Sequence, residues 1–206
     1  MFLSRIRIKS QAFAAQYVLK DAYAFHKLLL QAFPCPPGRV LFRIDKTITD
    51  RQEQLAVLIQ SQCQPNWNLC QWLEGNEVAP VISYSPRFVD RQQLYFRLRA
   101  NPTRKKRRNG NENGARERIL GGEAQLAWLR RKAESGGFSL NQCRILTEQS
   151  LTGLKCSGNH FLSFNSVLFE GTLRISNPLE FRRTVENGIG SGKAFGFGLL
   201  SVAIIK

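Results

Sequence analysis

With 206 residues, 43% hydrophobic and 22% charged, the chain is expected to be soluble and globular, with room for one large domain or two small ones. Its 30 lysines and arginines against 15 aspartates and glutamates give a formal charge of +15, which points to a polyanionic partner. Five cysteines without a C-x-x-C pair argue against a disulfide framework or a zinc knuckle, and no apolar run approaches the ~20 residues that cross a bilayer.

The opening FLSRIRI alternates apolar and polar side chains, the period of a half-buried strand. A helical stretch follows, with Ser10 and Asp21 as candidate N-caps, and the three prolines and glycine of AFPCPPG stop it. RVLFRI (39–44) and QLAVLIQS (54–61) predict two strands, PNWNLCQWLEG one short helix, and APVISYSP an extended segment. RQQLYFRLRA (91–100) is extended again, and the tract NPTRKKRRNGNENGARE is a loop without a large apolar side chain. GEAQLAWLRRKAESGG predicts a helix with Leu126, Leu129 and Ala133 on one face and Arg130 and Arg131 beside it. FSLNQCRILTEQSLTGLKC and HFLSFNSVLFEGTLRI supply strands joined by a hairpin near SGN, NPLEFRRTVENG a helix, and LLSVAIIK a closing strand.

Each half therefore runs β, α, β, β, α, β. This predicts an α+β fold of two tandem ferredoxin-like (βαββαβ) domains, over residues 1–88 and 92–206, with a C-terminal Gly-rich loop. Positive charge is concentrated centrally: residues 91–144 hold 14 basic and 4 acidic side chains. The start MFLSRIRIKS lacks the continuous apolar core of a signal peptide, so a cytoplasmic location with no membrane partner is expected.

The loop GIGSGKAFGFG places Gly188, Gly190, Gly192, Gly196 and Gly198 around Lys193. Its SGK imitates the end of a P-loop, but Asn187 stands where the first P-loop glycine belongs and Ala194 where a magnesium-binding hydroxyl does. The loop also leads from a helix into a strand, the reverse of a nucleotide cradle. Glycines let backbone amides turn toward an anion, so a phosphate of another kind is the expected ligand.

In LKDAYAFHKLLLQAF, helical spacing puts Leu19, Ala22, Phe25, Leu29, Ala32 and Phe33 on the buried arc. His26 falls at the edge of that arc, with Tyr23 and Lys27 beside it. A histidine that titrates near neutrality, a phenol and a cation are what metal-free RNA cleavage by the ribose 2′-OH requires. Asp45, Asp50 and Glu53 are too loosely grouped for a two-metal nuclease and are expected in solvent, and His160 is a loop residue.

Three separated signatures resemble the CRISPR repeat-processing endoribonucleases of the CasE type, within the RAMP superfamily. They are L-x-D-x-Y-x-x-H-x-x-L (Leu19, Asp21, Tyr23, His26, Leu29), FRLRANP with its basic run and AWLRRKAESGGF, and the G-h-G-x5-G-h-G loop from Gly188 to Gly198. The resemblance implies tandem ferredoxin-like domains and cutting at the 3′ base of a repeat stem, leaving a 2′,3′-cyclic phosphate and a 5′-OH, without metal or cofactor. The partners it implies are precursor and mature CRISPR RNA and the other subunits of the Cascade complex. It implies that His26 and Tyr23 are catalytic, and that Lys27, Arg97, Arg99, Arg130, Arg131, Lys155, Lys193 and the five loop glycines contact RNA, with the 104–108 tract as a further candidate. Ala22 replaces a proline frequent in the family, and Phe197 a cysteine found in some members. A non-catalytic RNA-binding subunit of the same fold is the alternative, and a basic ribosome-associated protein a third reading.

Overall fold

Strand β1 (Phe2–Lys9) carries out its alternation: Ser4, Ile6 and Ile8 are buried, while the guanidinium of Arg5 is exposed and that of Arg7 reaches Glu77 at 2.8 Å. The structure, a computed structural model, describes residues 1–9, 22–49, 52–105, 116–154 and 161–205. The proposed caps Ser10 and Asp21, and Leu19, lie outside the described residues.

Helix α1 spans Ala22–Leu30. Its end tightens: the amides of Gln31, Ala32 and Phe33 bond the carbonyls three residues back, at 3.2, 3.3 and 3.1 Å, before Pro34 closes the run. Phe25, Leu29 and Ala32 are fully buried, as the helical spacing requires. Strands β2 (Val40–Thr49) and β3 (Gln52–Ser61) follow, then two 3-10 turns, Trp67–Leu69 and Gln71–Leu73, and the short strands β4 (Glu77–Val78) and β5 (Ile82–Ser83).

The segment 65–75, expected as one helix, is those two 3-10 turns. Asn66 caps the first turn through its side chain, and Cys70, at φ −101° and ψ 86°, breaks the helical path between them. Burying Trp67, whose indole donates to Ser4 Oγ at 3.0 Å, together with Cys70 and Leu73 outweighs a continuous helix there. The sheet runs β2-β3-β1-β4, with β5 also on β1, and all its pairs are antiparallel. Val57 of β3 lies between Ile6 and Ile44 in register, which centres the core under α1.

The second sheet has the order β11-β6-β10-β9. Its strands are β6 (Gln93–Ala100), β9 (Phe138–Leu154), β10 (Phe161–Ile175) and β11 (Leu200–Ile204). Helix α2 (Gly122–Ser135) precedes β9, and α3 (Pro178–Asn187) follows β10, capped by Asn177 through the amides of Leu179 and Glu180. A small ladder, β7 (Thr103–Lys105) with β8 (Arg116–Arg118), flanks the basic tract, whose residues 106–115 are outside the described set.

The buried face of α2 is Gln125, Trp128, Leu129 and Ala133, with Leu126 only half-buried. Gln125 is admitted to the core because its amide donates to Glu148 Oε1 at 2.6 Å and to the Ile119 carbonyl at 3.3 Å.

Two compact units result. One gathers Met1–Arg87, Thr152–Leu162 and Lys193–Leu199; the other gathers Phe88–Leu151, Ser163–Gly192 and Leu200–Lys206. The glycine loop is thus divided at Lys193, a division that element order along the chain does not show. Among the described residues, no helix is long and apolar enough to cross a membrane.

Candidate nucleic-acid interface and catalytic site

Helix α1 presents Tyr23 and His26 half-buried and Lys27 exposed, one turn or less apart. The His26 ring stacks on Phe42 of β2, with centroids 5.9 Å apart and planes 11° from parallel. Its Nδ1 is buried with no hydrogen-bond partner among the described residues. Burial lowers the His26 pKa below the ordinary 6.5, because a charged imidazolium is poorly solvated there. At neutral pH the ring is therefore uncharged and able to accept a proton. Lys27 Nζ stands 5.1 Å from the centroid of the Tyr23 ring, a cation over an aromatic face.

The glycine loop enters the same unit through its second half. Lys193–Phe195 form a 3-10 turn beside α1 and β2, and the Phe195 ring stacks on Tyr23 at 5.5 Å and 26°. A cavity of about 310 Å³ is lined by His26, Leu30, Pro36, Pro37, Gly38, Arg39, Val40, Lys193 and Ala194. A base and two cations thus border one recess with apolar walls. The five loop glycines all have φ between 74° and 91°. At Gly196 the requirement is double, since a Cβ there would also stand 3.0 Å from Phe42 Cε2.

The loop's first half belongs to the other unit. The Gly188 amide closes α3 on the Thr184 carbonyl at 2.8 Å, a Cβ on Gly190 would stand 3.1 Å from the Trp128 ring, and Ser191 Oγ lies 3.3 Å from Thr103 Oγ1. Gly188, Gly190, Gly192 and Lys193 are half-buried; Gly196 and Gly198 are buried.

The four arginines expected to follow an RNA stem divide between two faces. On β6, Leu94, Phe96, Leu98 and Ala100 are buried, so Arg97 and Arg99 point to the opposite face. There Arg97 pairs with Glu170 at 3.1 Å, and Arg99 donates to Ser166 Oγ at 3.0 Å. Helix α2 covers the other face: Trp128 stacks on Phe169, whose register partner is Leu98. Arg130 and Arg131 are exposed on that helix. Lys155 and residues 106–108 of the tract lie outside the described residues, as does His160, whereas Arg104 is paired with Glu117 at 3.2 Å.

Asp45, expected in solvent, is instead ion-paired at 2.9 Å with Arg43, a residue only 5% exposed. A buried guanidinium needs that partner, and the i, i+2 spacing puts both side chains on one face of β2. Asp50 and the Glu53 side chain are outside the described residues. Among the described residues, no group of three or more His, Cys, Asp or Glu side chains is placed to hold a metal ion. Cys143 is an unsuitable nucleophile, because burial pushes its thiol up to about 11 despite the opposing pull of Arg130.

Sequence reading missed three contributors: Arg39, Phe42 and Phe195. Arg39 follows the Pro-Pro-Gly turn that reverses the chain just after α1, which is a local signal for its return to the helix. The two phenylalanines meet His26 and Tyr23 only through tertiary contacts, and no local pattern marks them.

The family model described as "CRISPR associated protein" matches residues 1–203. The chain is 32% identical to the CRISPR-associated endoribonuclease Cse3 of Thermus thermophilus, over 98% of this chain and 100% of that one. It is also 32% identical to the CRISPR system Cascade subunit CasE of Escherichia coli, over 98% and 99% of the two chains. The solved structure of Thermus thermophilus Cse3 bound to an RNA representing a pre-cleavage complex is similar, with a TM-score of 0.85, 30% identity and 98% of each chain covered.

Proposed function

The chain belongs to the CRISPR associated protein family, and from that premise we propose that it is a metal-independent endoribonuclease that binds CRISPR repeat stem-loops in a precursor transcript and cuts at the 3′ base of the stem. The observation that carries this reading is the recess lined by His26, Lys193 and Arg39, whose turn Lys193–Phe195 also stacks on Tyr23 through Phe195. Two tandem ferredoxin-like domains, over residues 1–88 and 92–206, are part of the proposal; the strand orders β2-β3-β1-β4 and β11-β6-β10-β9 support them.

In this mechanism neutral His26 takes the proton of the ribose 2′-OH. The 2′-oxygen attacks the adjacent phosphorus, the bond to the 5′-oxygen breaks, and that oxygen leaves with a proton donated by the Tyr23 hydroxyl. The products are a 2′,3′-cyclic phosphate and a 5′-OH. Tyr23 serves the leaving oxygen, while Lys27, Lys193 and Arg39 offset the charge gathered on the phosphorane. The half-buried loop glycines seat the RNA backbone, and Arg130 and Arg131 follow the stem through its phosphates and shape. Arg97 and Arg99 are weaker contacts in the scheme, since Glu170 and Ser166 already engage them. Retention on the mature guide RNA in a Cascade complex in the cytoplasm completes the reading, supported by the likeness to the Cascade subunit CasE.

The test is cleavage of a repeat hairpin in excess EDTA, with the fragments weighed by mass spectrometry. The expected result is one cut, with cyclic-phosphate and 5′-hydroxyl termini, and no cut in an unrelated stem-loop of equal length. Tight binding without cleavage would establish the non-catalytic RNA-binding subunit instead, and cleavage only on adding magnesium would overturn the metal-independent scheme. Equal affinity for the unrelated stem-loop would favour a general basic RNA-binding protein.

A further inference from the structure

We propose that Phe42 and Phe195 are positioning residues of the cleavage reaction: Phe42 sets the plane of His26, and Phe195, carried by the second half of the glycine loop, sets the ring of Tyr23. The inference rests on the endoribonuclease reading above and assigns the parts that orient its two reacting side chains.

A catalytic base is ordinarily held in place by a third group that hydrogen-bonds its far side. His26 has no such group on Nδ1 among the described residues, and the restraint those residues do supply is packing. The near-parallel stack on Phe42, with planes 11° apart, supplies that restraint. Phe42 in turn has little freedom. It is fully buried, meets Phe25 edge-on at 5.7 Å and 70°, and abuts Gly196, where a side chain would press on the ring. One residue earlier in the loop, Phe195 stacks on Tyr23.

The turn Lys193–Phe195 therefore serves two ends. Its lysine lines the recess with His26, and its phenylalanine holds the tyrosine. A phosphate drawn to Lys193 is held by the same short turn whose Phe195 stacks on Tyr23, so seating the RNA and aligning the acid partner are one event. This gives the loop a role that phosphate binding alone does not require.

The experiment compares Phe195→Ala, Phe195→Tyr and Phe42→Leu with the parent protein in single-turnover cleavage of a saturating repeat hairpin, alongside hairpin affinity, melting temperature and the pH–rate profile. Phe195→Ala and Phe42→Leu should cleave about 10- to 100-fold more slowly with Kd within about twofold of the parent, because misplaced groups lose rate rather than binding. Phe195→Tyr, which keeps the ring, should retain the parent rate. In Phe42→Leu the acidic limb of the rate profile should move toward the ordinary histidine value as water reaches the imidazole. Phe195 is only half-buried, so its variants keep the test decisive even if Phe42→Leu is unstable. Unchanged rates, a rate loss that follows melting temperature, or failure of Phe195→Tyr to restore cleavage would overturn the assignment while leaving the endoribonuclease reading intact. Absence of cleavage by the parent protein would overturn both.

Discussion

Gly190 and Gly196 stand six residues apart in one loop, yet each makes room for a different ring. Gly190 lies against Trp128 of α2, in the unit that carries the exposed Arg130 and Arg131. Gly196 lies against Phe42, in the unit that carries His26 and Tyr23. A run that reads as one phosphate-binding motif is in packing terms two devices, one set against the basic helix and one against the Phe42 ring that stacks on His26.

Substituting the two glycines separates the devices most sharply. Both residues have positive φ, 80° at Gly190 and 83° at Gly196, so Gly190→Val and Gly196→Val should each cost about 1–3 kcal/mol, read by thermal denaturation. Gly196→Val should lower single-turnover cleavage on the order of 100-fold with hairpin affinity nearly unchanged. Gly190→Val should weaken hairpin binding instead, with the rate of bound RNA preserved. Equal losses of rate and affinity in both variants would erase the distinction.

The arginine pairs offer a second, smaller contrast within one unit. Replacing both Arg130 and Arg131 with alanine should reduce affinity about tenfold near physiological salt and flatten the slope of log affinity against log salt by about one unit for each phosphate left without its arginine. Arg97→Ala should do less, because Glu170 already occupies its guanidinium. A larger effect from Arg97 than from Arg130 and Arg131 together would place the stem on the other face of the sheet.

These contrasts also mark what a sequence can carry. The alternation of RQQLYFRLRA puts Leu94, Phe96 and Leu98 inside and the arginines outside, because a strand has a two-residue period that local sequence records. The spacing of Phe25 and Leu29 likewise places His26 at the edge of a buried face. The segment from Trp67 to Leu73 reads wrongly as one helix, since a pattern of apolar residues does not show that Cys70 leaves the helical region to let both ends bury. The stacks of Phe42 on His26 and Phe195 on Tyr23 are beyond reach: they join positions 16 and 172 residues apart, and nothing in the local pattern of either partner encodes the meeting.

The smallest expected effect is on stability. Folding lowers the His26 pKa below 6.5, so the unfolded chain takes up the proton first as the solution is acidified. The contribution of neutral His26 is complete above pH 6.5 and is lost as pH falls through the lowered folded-state value. Relative to His26→Gln, the parent should lose stability over that acidic range and show no pH-dependent difference above it, as read by calorimetry. A parent that instead loses stability relative to His26→Gln as pH rises through and above 6.5 would mean the ring is held charged in the folded protein, and its role as base would fail.

The most direct measurement is the single-turnover cleavage rate of a repeat hairpin in EDTA for the parent protein and for His26→Ala, with the affinity of each determined on the same RNA. The parent should cut, and the variant should bind equally well yet cut slower by roughly 100- to 10,000-fold, the usual contribution of a positioned acid or base. Cleavage by His26→Ala at the parent rate, with undiminished binding, would place the chemistry elsewhere in the molecule.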